Sequence, residues 1–415
     1  MQINQRLLFI ILAIFTMGRI YLPVVFNNIP FPFSSILFYT LLWIIGCLFL
    51  YRHILFSKDM LYVYFMLIII AIGMHLFWQD RIVRNELISI RWLIDHIRHI
   101  FLAILIYTYF IKRGDYQGLA YVVFFTLSFI CITAITTIIG LNKYPMAARE
   151  LAAGAVRLGE RAAYYQSIGI MGYGFVGGLA FLMPVLVYKI KNAYKNKSKK
   201  TVLFLSMAGL FLFTIIQSRY TMALLFALFF AVMAVFQKNT KTVIVILCLI
   251  LITISFVPPT FFANIFIEFS TLFEGTLTEQ RISDFAMTFQ HGEMDRDSEY
   301  HTARRLGRIP ILLESILSNP ITGGGENLGH NYWLDWMSLF GILGLFPWAI
   351  IIINQINNNL TIFDDDYGLY YILSMVAFIT FGMFNNIGGS HLITFAFFII
   401  PGLNFLKYIK NNNGV

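Results

Sequence analysis

The chain reads as an all-α, polytopic membrane protein of about twelve transmembrane helices, roughly 20 apolar residues being enough to cross a bilayer. Three observations predict this. Hydrophobic residues fill 59% of the 415 positions and charged residues only 12%, with a mean hydropathy of +0.74. A water-soluble chain of this size has too little polar surface to cover so much apolar volume. The apolar residues fall in runs separated by short polar or proline-bearing breaks. Threaded alternately across a membrane, those runs leave the lysines on one side, which is how orientation is encoded.

The first run, Leu7–Leu22, has no small-residue cleavage site after it, and Pro23 and Pro30 lead straight into the next run. It is expected to be a first span and not a removed signal peptide. Ser34–Leu50, Leu61–Phe77, Leu93–Ile111 and Leu119–Leu141 follow, some of them short enough to need snorkelling ends. A loop from Asn142 to Ser167 is too long for a turn. Ile168–Val187, Val202–Ile216, Met222–Phe236 and Val243–Val257 bring the expected count to nine. A second long loop, 258–330, separates helices nine and ten, and loops of that length usually carry function. Within it, residues 304–317 (RRLGRIPILLESIL) have helical spacing, with Pro310 marking a first turn or a kink. Tyr332–Ile353, Tyr367–Phe384 and Leu392–Leu406 complete a single integral domain over 1–415.

Lys58, Lys112, the cluster from Lys189 to Lys200, Lys238, Lys241, Lys407 and Lys410 share one side, with Lys143 alone opposite. By the positive-inside rule that side is cytoplasmic and holds both termini. Arginine runs the other way. Arg81, Arg84, Arg91, Arg98, Arg149, Arg157, Arg161, Arg219, Arg281, Arg296, Arg304, Arg305 and Arg308 thread to the outside; Arg6, Arg52 and Arg113 stay in. Outer arginine opposes the orientation rule, and its planar fork matches phosphate or carboxylate where lysine offers a point charge. The bias predicts an anionic, phosphorylated ligand on the outer face; the alternative is pairing with Asp80, Glu86, Asp95, Glu150, Glu160, Asp284, Asp295 and Asp297 nearby, or with lipid headgroups. The net charge of +9 sits between apolar runs, so it reads as membrane flanks, and nucleic acid is not an expected partner. Cys47, Cys131 and Cys248 lie inside apolar runs without ligand spacing, which argues against a zinc or redox centre.

Gly172-Tyr-Gly-Phe-Val-Gly177 matches a dinucleotide fingerprint in form only: no soluble strand precedes it, and close helix packing explains the glycines better. Arg161, Tyr164 and Tyr165 stand where the first long loop returns to the membrane; they either line a cleft or anchor the interface. Gln217-Ser218-Arg219-Tyr220 is a minimal outer connection that holds Arg219 at the membrane boundary, a costly place for arginine. From Ile309 to Leu345 an amphipathic helix, Asn319-Pro320, Gly323 to Gly325 and Glu326 deliver His330-Asn331 to the mouth of a span. A histidine so approached, with arginines nearby, is a candidate catalytic or acceptor-binding group.

The order Ser-Arg between two spans, a long outer loop, Arg, Asn-Pro-x-x-Gly-Gly-Gly, His-Asn-Tyr-Trp-Leu and Gly-x-x-Gly resembles the O-antigen polymerase and O-antigen ligase superfamily of Wzy and WaaL type. The likeness is specific from Gln217 to Leu345 and extends in topology along the chain. It implies a GT-C-like fold and metal-independent, inverting glycosyl transfer from an undecaprenyl-pyrophosphate carrier, with no cofactor. Catalytic roles would fall to Arg219, Arg305 and His330; Arg308, Arg304, Asn331, Arg161, Tyr164, Tyr165 and Glu326 would bind substrate. The family often has Trp a turn after its second arginine, where this chain has Ile309-Pro310, so Arg304 and Arg308 compete with Arg305 for that role. Implied partners are lipid-linked oligosaccharide donor and acceptor, membrane lipid and a chain-length regulator. A polymerase of O-antigen, capsule or exopolysaccharide units in a bacterial inner membrane is the first expectation. A ligase with another acceptor is the alternative; a flippase would need charges deep in the spans, where almost none stand.

Overall fold

The computed structural model describes residues 4–78, 82–83, 86–87, 90–153, 159–236, 259–275, 279–280, 282–284, 286–287, 308–329, 331–388 and 390–409. The run Val243–Val257 lies outside them.

In lipid every backbone N–H and C=O needs an internal partner, so the apolar runs become helices in spite of their isoleucine, valine and phenylalanine content. They are α1 (Gln5–Tyr21), α2 (Ile36–Leu50), α3 (Lys58–Leu76), α4 (Ile90–Lys112), α5 (Tyr116–Lys143), α6 (Ala147–Ala153), α7 (Glu160–Ser167), α8 (Tyr173–Lys195), α9 (Lys200–Gln217), α10 (Thr221–Phe236), α11 (Pro259–Thr271), α12 (Arg308–Ser318), α13 (Tyr332–Leu360), α14 (Asp365–Phe384) and α15 (His391–Tyr408). Seven of them, α3, α5, α8, α9, α13, α14 and α15, are long and apolar enough to cross a membrane; α2 and α10 are shorter apolar helices. Among the described residues the sheet content is one antiparallel pair of two-residue strands, Ile82–Val83 with Glu86–Leu87. The helix over Arg308–Ser318 is the amphipathic segment expected in the second long loop, and Pro310 stands in its first turn, where its missing N–H costs nothing.

Contacts between helix ends sort the bundle into two faces. At the lysine-bearing end the Arg6 guanidinium donates to both Asp115 oxygens at 2.9 Å, Lys407 pairs with Asp364 at 2.7 Å, and Lys191 reaches the Val235 carbonyl at 2.6 Å and the Tyr370 hydroxyl at 3.3 Å. At the opposite end Trp78 donates to the Thr322 carbonyl, and Tyr220 to the Asn385 side chain, both at 2.8 Å. The helices on either side of the α4–α5, α9–α10 and α13–α14 turns therefore run in opposite directions.

Two helices fill the centre. In α8 and α15, 78% of the most apolar stretch is buried, against 33% in α9. Gly177 and Gly178 bring α8 against Phe381, Leu392 and Phe395, so the glycine motif serves helix packing here. The outer ring keeps its apolar side chains exposed: Leu37, Leu41, Ile45, Leu48 and Phe49 of α2 form one such stripe. In water that patch would be a liability, whereas facing acyl chains it costs nothing.

One helix is broken. At Gly341 the α13 backbone turns to φ 63°, ψ −160°, and the N–H groups freed at Ile342 and Leu343 are taken up by the Pro320 and Ile321 carbonyls at 2.9 and 3.2 Å. The glycine loop is thus built into the break. A Cβ on Gly341 would collide with the Ile321 carbonyl, and one on Gly323 (φ 80°) with the Ser338 carbonyl. Non-helical backbone inside a bundle is tolerated only where protein supplies such partners.

Candidate functional site at the arginine-bearing end

The α9–α10 connection is three residues long, Ser218 to Tyr220. Its N–H groups close back on α9, Ser218 to Thr214 and Arg219 to Ile216, each at 3.0 Å. Ending a helix so tightly requires a left-handed residue, and that residue is Arg219, at φ 54° with its side chain exposed. Glycine or asparagine ordinarily fills this position, because a Cβ there costs about 1–2 kcal/mol. Arg219 is thus a backbone outlier of the kind that clusters at functional sites.

Tyr220, next along, is buried; its ring stacks on Tyr173 with centroids 4.0 Å apart and 7° between planes. Its hydroxyl donates to Asn385 Oδ1 at 2.8 Å, while the Asn385 carbonyl accepts the Tyr332 N–H at 3.4 Å. Asn385 therefore joins the Arg219 turn to the start of α13, directly after the His330-Asn331 pair. The Asn385 Nδ2 is buried without a hydrogen-bond partner among the described residues. Asn331 is 8% exposed, and its carboxamide also makes no hydrogen bond among the described residues.

Asp335, in the first turn of α13, folds back on the chain that precedes it. Its Oδ1 accepts the Leu328 and Gly329 N–H groups at 2.8 and 3.1 Å, and its Oδ2 accepts the Asn331 N–H at 3.0 Å. From the other side Arg308, at the head of α12, donates to the Leu328 carbonyl at 3.1 Å. The chain on both sides of position 330 is thereby fixed to two helices. A carboxylate accepting several backbone N–H groups makes strong, charge-assisted bonds, so this turn is rigid where the rest of the loop is glycine-rich. His330, Arg304 and Arg305 themselves lie outside the described residues.

The other expected substrate contacts stand apart. Glu326 is exposed on the glycine loop, and Arg161 is exposed on α7. Tyr164 is 45% exposed and within 3.3 Å of the Tyr144 hydroxyl. Tyr165 is buried and donates to Glu150 Oε2 at 3.1 Å; burial and that carboxylate push its hydroxyl above the ordinary phenol range. Tyr165, Ala147, Ala148 and Leu141 form a satellite core that reaches Tyr173, which is the stacking partner of Tyr220. The first long loop therefore abuts the Arg219 turn through Tyr173, while Tyr165 is engaged internally. Among the described residues no group of three His, Cys, Asp or Glu side chains is placed to hold a metal ion.

Sequence reasoning missed Asp335 and Asn385. Asp335 had a signal, an acidic side chain in the first turn of a helix, where the dipole and free N–H groups favour it. Asn385 had none, since its partners lie 165 residues back at Tyr220 and at Tyr332. Comparison of the chain with protein-family models and with curated proteins finds no match to either. The class that the fold defines is accordingly an all-α protein with, among the described residues, seven helices long and apolar enough to cross a membrane and a candidate polar site at one end of the bundle.

Proposed function

We propose that the chain is a membrane glycosyltransferase that polymerises undecaprenyl-pyrophosphate-linked repeat units of O-antigen, capsule or exopolysaccharide on the extracytoplasmic face. It would be a protein of about twelve spans with both termini cytoplasmic and the 258–330 segment outside. The observation that carries this reading is the strained Arg219 turn joined through Asn385 to the chain around position 330, with Asn385 Nδ2 and the Asn331 carboxamide making no hydrogen bond among the described residues. A cation set against free amide groups suits a phosphorylated carbohydrate: the guanidinium takes the phosphate, the amides take sugar hydroxyls.

In the transfer, the acceptor hydroxyl oxygen bonds to the anomeric carbon from the face opposite the pyrophosphate, and the configuration inverts. The carbon–oxygen bond to pyrophosphate breaks with its electron pair on the phosphate oxygen. The hydroxyl proton passes to His330 and then to water. Arg219, with Arg305, neutralises the charge on the leaving group; such bonds contribute about 1.5–3 kcal/mol each, and positioning of the two substrates supplies the remainder.

The test is to express Arg219→Lys, Arg305→Lys and His330→Ala in a host lacking its own polymerase, verify membrane levels, and resolve the surface glycan by gel. Lysine keeps the charge and loses the fork, so the ladder should collapse in both arginine variants and vanish in the histidine variant. Full ladders from all three would refute the assigned site. A wild-type product of transferred single units with no ladder would favour the ligase.

A further inference from the structure

At the lysine-bearing end, opposite the site just described, a cavity of ≈ 140 Å³ lies between the N-terminus of α3 and the C-terminal ends of α4 and α13. Its walls include Asp59, Thr108, Gln355 and Asn358, with Lys112 at its exposed rim. Asp59 is 8% exposed, Gln355 3% and Thr108 2%. Asn354 and Asn358 both donate to Asp59 Oδ1, at 2.7 and 2.6 Å. Oδ2 accepts nothing among the described residues, nor do the Gln355 amide or the Thr108 hydroxyl make a hydrogen bond there. No cationic side chain among those residues lies within salt-bridge distance of Asp59.

Buried polar groups find partners and buried charges are neutralised. Here a carboxylate oxygen, an amide and a hydroxyl line one cavity that opens to solvent and take no protein partner among the described residues, and the cation of the lining, Lys112, stands outside salt-bridge distance of Asp59. We infer that this cavity is a binding site for a hydrated monovalent cation of the sodium or potassium type, held by Asp59 Oδ2 and the side-chain oxygens of Thr108, Gln355 and Asn358. A single carboxylate among neutral oxygens is too little charge for calcium, and magnesium keeps its water shell more tenaciously than such a set would replace. The volume is that of four or five waters at ~30 Å³ each, which leaves space for an ion with part of its shell. The bound ion ties α3 and α4 to α13, whose other end carries Asn331 and the Gly341 break.

The test measures thermal unfolding of the purified full-length protein in detergent against sodium, potassium or N-methylglucamine chloride at constant ionic strength. Wild type should be stabilised saturably by at least one alkali cation over N-methylglucamine. Asp59→Asn, which still presents an acceptor to Asn354 and Asn358, should lose that response. Thr108→Val removes one ligand at constant shape and should raise the half-saturating concentration about tenfold or more. Identical melting in all three salts, as waters alone would give, overturns the inference, and so does an Asp59→Asn variant that responds like wild type. Should Asp59→Asn fail to purify, Thr108→Val decides alone: an unshifted half-saturation counts against the site.

Discussion

Replacing Arg219 by glycine separates the two reasons an arginine could occupy the α9–α10 turn. At φ 54° an L-residue carries about 1–2 kcal/mol that glycine does not. Glycine also frees the unfolded chain, which returns about 0.4–1 kcal/mol of that gain. The backbone bond from residue 219 to the Ile216 carbonyl survives the change, and the exposed side chain gives up little packing. The net effect on stability lies between about zero and 1.5 kcal/mol in favour of the variant, so its melting temperature in detergent should equal or exceed that of wild type by a few degrees at most. Activity should move the other way. If the guanidinium donates two charge-assisted bonds to the pyrophosphate at about 1.5–3 kcal/mol each, their loss slows transfer by about two to four orders of magnitude. The assay pairs a melting curve on purified protein with the rate of polymer formation on lipid-linked repeat units. A glycine variant that melts several degrees lower would show the arginine to be structural, and one that polymerises at the wild-type rate would remove it from the site.

Three further outcomes follow from the same geometry. Asp335→Asn leaves one acceptor oxygen where the Leu328, Gly329 and Asn331 N–H groups need two; it should cost about 2–3 kcal/mol and lower polymer formation by more than tenfold at normal membrane levels, and wild-type turnover would show that the turn needs no such anchor. Tyr220→Phe keeps the ring stack on Tyr173 and deletes only the hydroxyl donated to Asn385; it should lose about 1 kcal/mol and reduce activity without changing membrane level, while an unchanged rate would uncouple Asn385 from the chemistry. In the α4–α5 turn, burial raises the Asp115 carboxyl, but the hydrogen bond from Arg6, the Gly118 N–H and the Arg6 and Arg113 charges outweigh it, so its pKa falls below the ordinary 3.8. A depressed folded-state pKa contributes stability above the unfolded value and loses it as pH drops through the folded one. Melting curves from pH 6 down to 3 should therefore fall less steeply below pH 4 in Asp115→Asn than in wild type, and parallel curves would refute the assignment.

The parts of this molecule legible in its sequence are those that lipid dictates. A run of apolar residues has one stable form in a bilayer, so the helices emerge without any need for amphipathic period, and the lysine pattern yields their alternation. The Arg219 turn was legible for the same reason, being all that two adjacent runs leave between them. What escaped is polar structure that completes itself across helices. The expected span Tyr332–Ile353 ends where Asn354 and Gln355 begin, yet α13 continues to Leu360, because Asn354 and Asn358 bond Asp59 and Asn359 bonds Tyr107 and Tyr371. Within the same span the sequence gives no sign of the break at Gly341, since the N–H groups it frees are satisfied by carbonyls of the Pro320–Ile321 segment and not by anything local. Both surprises have one cause. A polar group inside a bundle is affordable only when a partner from another helix or loop meets it, and a linear pattern carries the polar residue but not the partner. The consequence for the site is that the chain at its visible residues, Arg219 and Asn331, is held by ones that carry no motif, Asn385 through Tyr220 and Asp335 directly, so on the proposed function a substitution at either of the latter should also slow transfer.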